Sequence, residues 1–322
     1  MPNYQGVWSL STQFQNASGW PLPPALPIAL FGAGNASGSP YDNTIQQVNI
    51  STTGNATDFG DLLFTARDTG AVSSSIRAVF SAGRENGTTP GNSMNYVTIA
   101  SAGNATDFGD STVSLRNKVG CSNSTRGLFM GGADSSNIRQ NTVDYITIAS
   151  VGNATDFGDL TSIVSNGSGS NSPTRGIHAL GYTTAVTNTI EYLTIASTGN
   201  ATDFGDATVA RITATNGVIS SGTRGCFAGG DTSGSGRLNT IDYITIASTG
   251  NASDFGDLLA VVEGPYGASS TTRGLAAGGT NADTNVIQYI TIASTGNATD
   301  FGDLLANNFQ GSGCSAVHGG LS

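Results

Sequence analysis

An eight-residue phrase, GNATDFGD, begins at Gly54 and returns at Gly103, Gly152, Gly199, Gly250 and Gly296, altered only to GNASDFGD in the fifth copy. The spacings of 49, 49, 47, 51 and 46 residues constrain the fold more than any other feature of the chain. A unit of this length cannot bury an apolar face alone, so copies must stack, and the period is that of propeller blades. Asp-Phe-Gly is also the magnesium-binding triplet of protein kinases. A kinase needs a phosphate-covering glycine loop, a strand lysine and a catalytic-loop Asp-Asn pair beside it, and the sequence offers none. Six copies at a structural period identify the triplet as scaffold.

Around the phrase each unit carries the same parts, plainest over residues 125–159. TRGLFMGG (125–132) is a short strand, b, stopped by its glycines. DYITIAS (144–150) alternates β-branched and aromatic residues with period two and forms strand c; Gly-Asn turns the chain, and ATDFGD (154–159) returns as strand d. A fourth strand, a, falls in the small-residue stretches RNKVGCSNS (116–124), SIVSNGSGSNS (162–172), ITATNGVISSG (212–222) and VVEGPYGASS (261–270). Blades taper towards the axis, so small side chains belong there and the phrase Phe belongs at the wide rim, wedged between blades. The expected fold is therefore all-β: a six-bladed β-propeller of four-stranded antiparallel blades over residues 28–322. Residues 1–27 form a non-repeat docking arm carrying Trp8 and Trp20. The first repeat opens directly with strand b, PIALFGAG (27–34), with Ile28 where the other repeats have Arg; GCSA (313–316) near the carboxyl end matches GCSN (120–123) of an inner strand. The ring is thus expected to close by pairing the C-terminal strand with the N-terminal blade.

The order of parts resembles the kelch repeat of galactose-oxidase-type propellers. The doublets Gly131-Gly132, Gly229-Gly230 and Gly278-Gly279 match it, as do Tyr96, Tyr145, Tyr192, Tyr243 and Tyr289. Phe stands where kelch uses Trp, and the Tyr-to-aromatic spacing differs. The finer wording, as in NTIDYITIASTGNASDFGDL (239–258), is similar to repeats in structural proteins of marine bacteriophages, especially those infecting cyanobacteria. That resemblance, over nearly all of residues 28–305, implies a non-enzymatic virion structural protein: a decoration, tail-associated or fibre module. Its partners would be other virion proteins, copies of itself or a host-surface glycan. The alternative is an extracellular carbohydrate-binding or adhesin propeller.

Composition narrows the partners. The net charge is −10, with twelve Lys and Arg among 322 residues, leaving no basic stripe to follow a phosphate backbone. Neither nucleic acid nor membrane insertion is expected, and the amino terminus lacks the pattern of a secretory leader. Three cysteines, Cys121, Cys226 and Cys314, read as buried thiols. His178 and His318 are far apart, and no nucleophile–base pair or metal-ligand set stands out, so neither enzyme activity nor a cofactor or metal is expected. The phrase supplies twelve of 22 acidic residues. Aspartates at i and i+3 of a strand face opposite ways, which is too sparse for calcium. Arg77, Arg126, Arg175, Arg224 and Arg273, which open strand b in five repeats, are instead expected to be held by carboxylate or backbone oxygens. Asn55 and its counterparts satisfy an N-glycosylation pattern but serve as turn formers. GAGNASG (32–38), which superficially looks like a dinucleotide loop, is strand b and its turn.

In such blades the b–c and d–a connections share one face. The c–d turns are near-identical, whereas the b–c loops differ throughout. Loops freed from structural repetition carry recognition, and aromatic and Arg side chains dominate binding hot spots. The candidates are Tyr41, Arg84, Arg139, Tyr182 and Arg237, with Trp8 and Trp20 of the arm.

Overall fold

The computed structural model describes residues 26–321 apart from 37–38, 88, 214–215, 234–235 and 281–283; Trp8 and Trp20 lie outside the described residues. The chain is all-β, with six antiparallel blades in a propeller arrangement. Blade 3 shows the repeat most simply: a, Val119–Ser122; b, Arg126–Met130; c, Thr142–Thr147; d, Thr155–Asp159, bonded in that order. Blade 2 runs from Gly70–Ser73 to Thr106–Asp110, blade 4 from Ser168–Asn171 to Thr202–Asp206, and blade 6 from Tyr266–Ser269 to Thr299–Asp303. In blade 5, strands b, c and d are Arg224–Asp231, Arg237–Thr245 and Ser253–Asp257, and the inner edge is reduced to Asn216–Gly217 and a bridge from Ser220 to Gly225.

Blade 1 has strands b to d at Ile28–Ala36, Ser39–Asn49 and Thr57–Arg67. Ser312–Ser315, from the carboxyl end, lies antiparallel on its strand b, with Leu30 opposite Cys314 as Leu128 is opposite Cys121 in blade 3. This sheet is larger than the four strands expected. Arg84–Glu85 pairs with strand d, Asn308–Phe309 with strand b, and Asn216–Gly217 runs parallel to Ser312–Ser315.

The core is divided among the interfaces between blades. Phe157 packs with Leu128 and Met130 of its own blade and with Leu193 and Ile195 of blade 4; Phe301 of blade 6 packs likewise against Val48 and Ile50 of blade 1. All six phrase phenylalanines are at most 3% exposed. A bulge puts them there: in blade 3 Val143 pairs with Gly158 and Asp144 with Asp156, so Phe157 is the extra residue. Five of them meet the strand-c tyrosine of their own blade edge-on, at 5.9–6.1 Å between centroids.

The repeated phrase is self-complementary. Its turn half docks on the strand half of the copy in the preceding blade. Gly103 N–H donates to Phe59 C=O (2.7 Å), Ala105 N–H to Asp61 C=O (2.7 Å), and Asp61 N–H to Asn104 Oδ1 (3.1 Å). The same three bonds recur at every interface, including Gly54 to Phe301, Ala56 to Asp303 and Asp303 to Asn55 between blades 6 and 1. Close approach explains the second glycine: a Cβ on Gly60 would stand 2.4 Å from Gly103 O.

Three further contacts link the blades. Arg126 Nη1 donates to Ile195 C=O of the next blade (3.0 Å) while its guanidinium lies 4.8 Å from the Tyr145 ring centroid. Arg77, Arg175, Arg224 and Arg273 do the same. These arginines are thus held by carbonyls and ring faces, not by the phrase aspartates, whose first member is exposed in every copy. Blade 1 lacks the pair, with Ile28 and Gln47 in the two positions.

The residue before each strand-c tyrosine position is a buried acceptor: Gln46, Asn95, Asp144, Glu191, Asp242 or Gln288. Each takes a hydrogen bond from the preceding blade, as Leu63 N–H donates to Asn95 Oδ1 and Thr112 N–H to Asp144 Oδ2. Where the acceptor is a carboxylate, a base accompanies it. Arg211 Nη1 is 2.8 Å from Asp242, His178 Nδ1 is 3.7 Å from Glu191, and Lys118 is drawn towards Asp144. Burial lowers the His178 pKa to about 4, so at neutral pH its contact is to a neutral ring.

At the axis, the last residue of each inner strand reaches back to the preceding one. Ser73 Oγ donates to Ser315 C=O, Ser122 to Ser73, Asn171 to Ser122, Ser220 to Asn171 Oδ1, Ser269 to Ser220 C=O and Ser315 to Ser269. The six bonds form a closed circuit. His318 sits on it, Nδ1 accepting from Gly320 N–H (3.1 Å) and Nε2 placed to donate to Ser73 C=O (2.9 Å).

Candidate functional site

Of the chain's twelve basic residues, the five strand-b arginines are committed to the blade interfaces, and Lys118 and Arg211 are buried. The remaining five are Arg67, Arg84, Arg116, Arg139 and Arg237. All belong to b–c or d–a connections or the strand ends beside them, hence to one face of the propeller. Four of them, with Tyr41 and Tyr182, form an arc across blades 1 to 4.

The arc begins at Tyr41, whose ring lies 5.0 Å from the Arg67 guanidinium. Arg67, at the end of the long strand d of blade 1, is the β-ladder partner of Arg84. Arg84 Nε is 2.9 Å from Asp68 Oδ2, within ion-pair range but too far off line to be a hydrogen bond. Asp68 C=O accepts from Asn117 N–H (2.8 Å), and Asn117 Oδ1 accepts from Arg116 Nη1 (2.9 Å). Arg116 Nη2 also donates to Asn137 Oδ1 (2.6 Å), and β-bridges set Arg116 and Arg139 on either side of Ala133. Arg139 ends the arc, 4.4 Å from the ring centroid of Tyr182 in blade 4.

Asp68 is the buried carboxylate beside the guanidiniums of Arg84, Arg67 and Arg116. Burial raises its pKa, against the pull of Arg84, Arg67 and Arg116. Arg116 is pushed down by burial first and then by Arg84, with Arg67 and Arg139 adding to it. The neighbouring acids turn to their own loops: Glu85 accepts from Ser93 Oγ (3.1 Å), and Asp134 Oδ1 from the N–H groups of Ser136 and Ile138 (both 2.9 Å). The arc side chains are half-buried and packed against one another, so the guanidiniums are held on a pre-organised surface.

Four candidates from the sequence, Tyr41, Arg84, Arg139 and Tyr182, therefore come together. Arg237 stands apart in blade 5, 3.9 Å from Glu263. Sequence reasoning missed Arg67 and Arg116 because it drew candidates only from the b–c loops and placed Arg116 in the stretch assigned to strand a. The available signal was that both are arginines outside the repeat pattern.

The other titratable groups with large shifts are buried elsewhere. Cys121, Cys226 and Cys314 are pushed up to about 12 by burial, which makes them poor nucleophiles. Among the described residues, no group of three or more His, Cys, Asp or Glu could hold a metal ion. The arc can bind and orient an anion.

No protein-family model matches this chain, and no curated protein matches it. The six-bladed architecture is compatible with kelch-like repeats.

Proposed function

We propose that this chain is a non-enzymatic recognition platform that makes its contacts through the b–c/d–a face. The observation that carries this reading is a division of labour. The invariant residues of the repeat are consumed in locking blade to blade, while four of the five arginines left over gather with Tyr41 and Tyr182 on one face. A rigid ring with one specialised face suits binding, and six-bladed geometry alone specifies no chemistry.

Within that reading, the wording of the repeats supports a virion structural protein: a decoration, tail-associated or fibre module whose partners are other virion proteins or further copies of itself. Cross-linking and imaging of particles from the source should place the chain in the assembly, with cross-links from the b–c loops. Recovery only as a free monomer, absent from any particle, would overturn the virion role. The second reading is an extracellular carbohydrate-binding propeller, and the arginine–tyrosine arc favours it specifically. In both, the face is the same and catalysis is not involved.

A further inference from the structure

We infer that the arc from Tyr41 through Arg67, Arg84, Arg116 and Arg139 to Tyr182 is a binding site for an anionic polysaccharide, its guanidiniums taking carboxylate or sulfate groups on the sugar. The inference rests on the proposed recognition role of this face and names the ligand class.

Three observations point to a polyanion. First, the guanidiniums of Arg84, Arg67 and Arg116 share one buried carboxylate, Asp68, and Arg139 adds to the repulsion on Arg116, so like charges stand at close range that a bound oxyanion would relieve. Second, Arg139 Nε is buried yet makes no hydrogen bond. A buried N–H without an acceptor is costly, and one that awaits a ligand oxygen is a common reason for tolerating it. Third, the arginines are strung along an arc from blade 1 to blade 3, which matches acidic groups repeated along a chain better than one small anion.

Two features favour sugar over other polyanions. Tyrosines stand at both ends of the arc, and the exposed amide of Asn137 stands in its middle; rings and planar amides are the partners of sugar faces and hydroxyls.

The test uses the full chain and measures binding by calorimetry to polygalacturonate and to dextran sulfate, with neutral dextran and poly-glutamate as comparators. At least one of the two acidic polysaccharides should bind, more weakly at high salt, and neutral dextran should not. Arg116→Gln and Arg139→Gln should each weaken binding by about tenfold or more, as for central arginines of an interface. Arg139→Lys, which keeps charge but loses the planar fork, should fall between. Arg237→Gln, on the same face but outside the arc, should bind as the parent does. If a Gln variant melts early, Tyr182→Ala and Arg84→Gln replace it. The proposal is overturned if neither polysaccharide binds, if the arc variants bind undiminished, or if poly-glutamate competes equally, which would indicate an acidic polypeptide partner. Loop-face cross-links in a native particle would survive each of those results, so failure of the ligand assignment is distinguishable from failure of the platform reading.

Discussion

Phe157 and the glycines around it show how much one copy of the phrase contributes. Phe157 is 2% exposed within an interblade cluster, so Phe157→Ala should destabilise by about 3–5 kcal/mol in chemical denaturation. The two glycines of the copy should differ. A Cβ on Gly158 would lie 2.6 Å from Gly199 O, whereas one on Gly152 meets nothing within 4 Å; both have positive φ, +144° and +154°. Gly158→Ala should therefore cost clearly more than Gly152→Ala, which carries the backbone strain alone. Equal losses would refute the close-approach explanation. The histidines set a pH dependence. Burial holds His178 and His318 neutral down to about pH 4, against about 6.5 unfolded. The unfolded chain then binds more protons between pH 6.5 and 4, so stability is fully present above that window and falls as pH falls through it, by up to roughly 3 kcal/mol per histidine. Asp68, Glu191 and Glu263, raised by burial, work in the opposite direction at its lower end. Melting temperatures from pH 7 to 4 should fall less steeply for His318→Gln than for the parent.

At the level of elements, the arginine opening strand b and the tyrosine of strand c act as one unit. Arg126 stacks on Tyr145 and bonds to Ile195 C=O, and blade 1 replaces both members together, with Ile28 and Gln47. Arg126→Leu should cost about 1–3 kcal/mol and leave polysaccharide binding intact. Combining Arg126→Ile with Tyr145→Gln should cost less than the two single changes added, because each alone strands the other's partner; strict additivity would show that the stack contributes nothing. The recurrence of these arginines was legible in the sequence, and so was their structural role. Their acceptor was not, because a carbonyl about 70 positions away leaves no residue-type signal. The acids Asp144, Glu191 and Asp242 looked like ordinary strand residues for the same reason, since the acceptor position also tolerates Gln and Asn.

For the whole molecule, every interface repeats the same bonds, and the contact between blades 6 and 1 is no exception. The carboxyl end supplies the strand lying on Leu30, a member of the serine circuit and the His318 contact. Deleting residues 306–322 would remove all three and expose the edge of strand b in blade 1. The expected outcome is a lower melting temperature and association through that edge, measured by calorimetry and light scattering. A truncated chain that stayed monomeric with unchanged stability would show that the C-terminal strand does not hold the ring together.

Period, alternation and turn residues determined the blades, their number and the place of the phrase Phe. These properties are local, since a strand's two faces and a turn's backbone angles are set by residues within a few positions. The match of GCSA with GCSN likewise placed the last strand on the first blade's edge, because an inner strand's small residues are recognisable wherever they fall. What only the tertiary structure decided is which distant groups meet: the turn of one phrase on the strand of another, six side chains closing a circuit at the axis, and Arg67 and Arg116 joining the candidates Arg84 and Arg139. These meetings depend on the rotation from blade to blade, which turns residues from separate repeats towards one another and which no single repeat encodes.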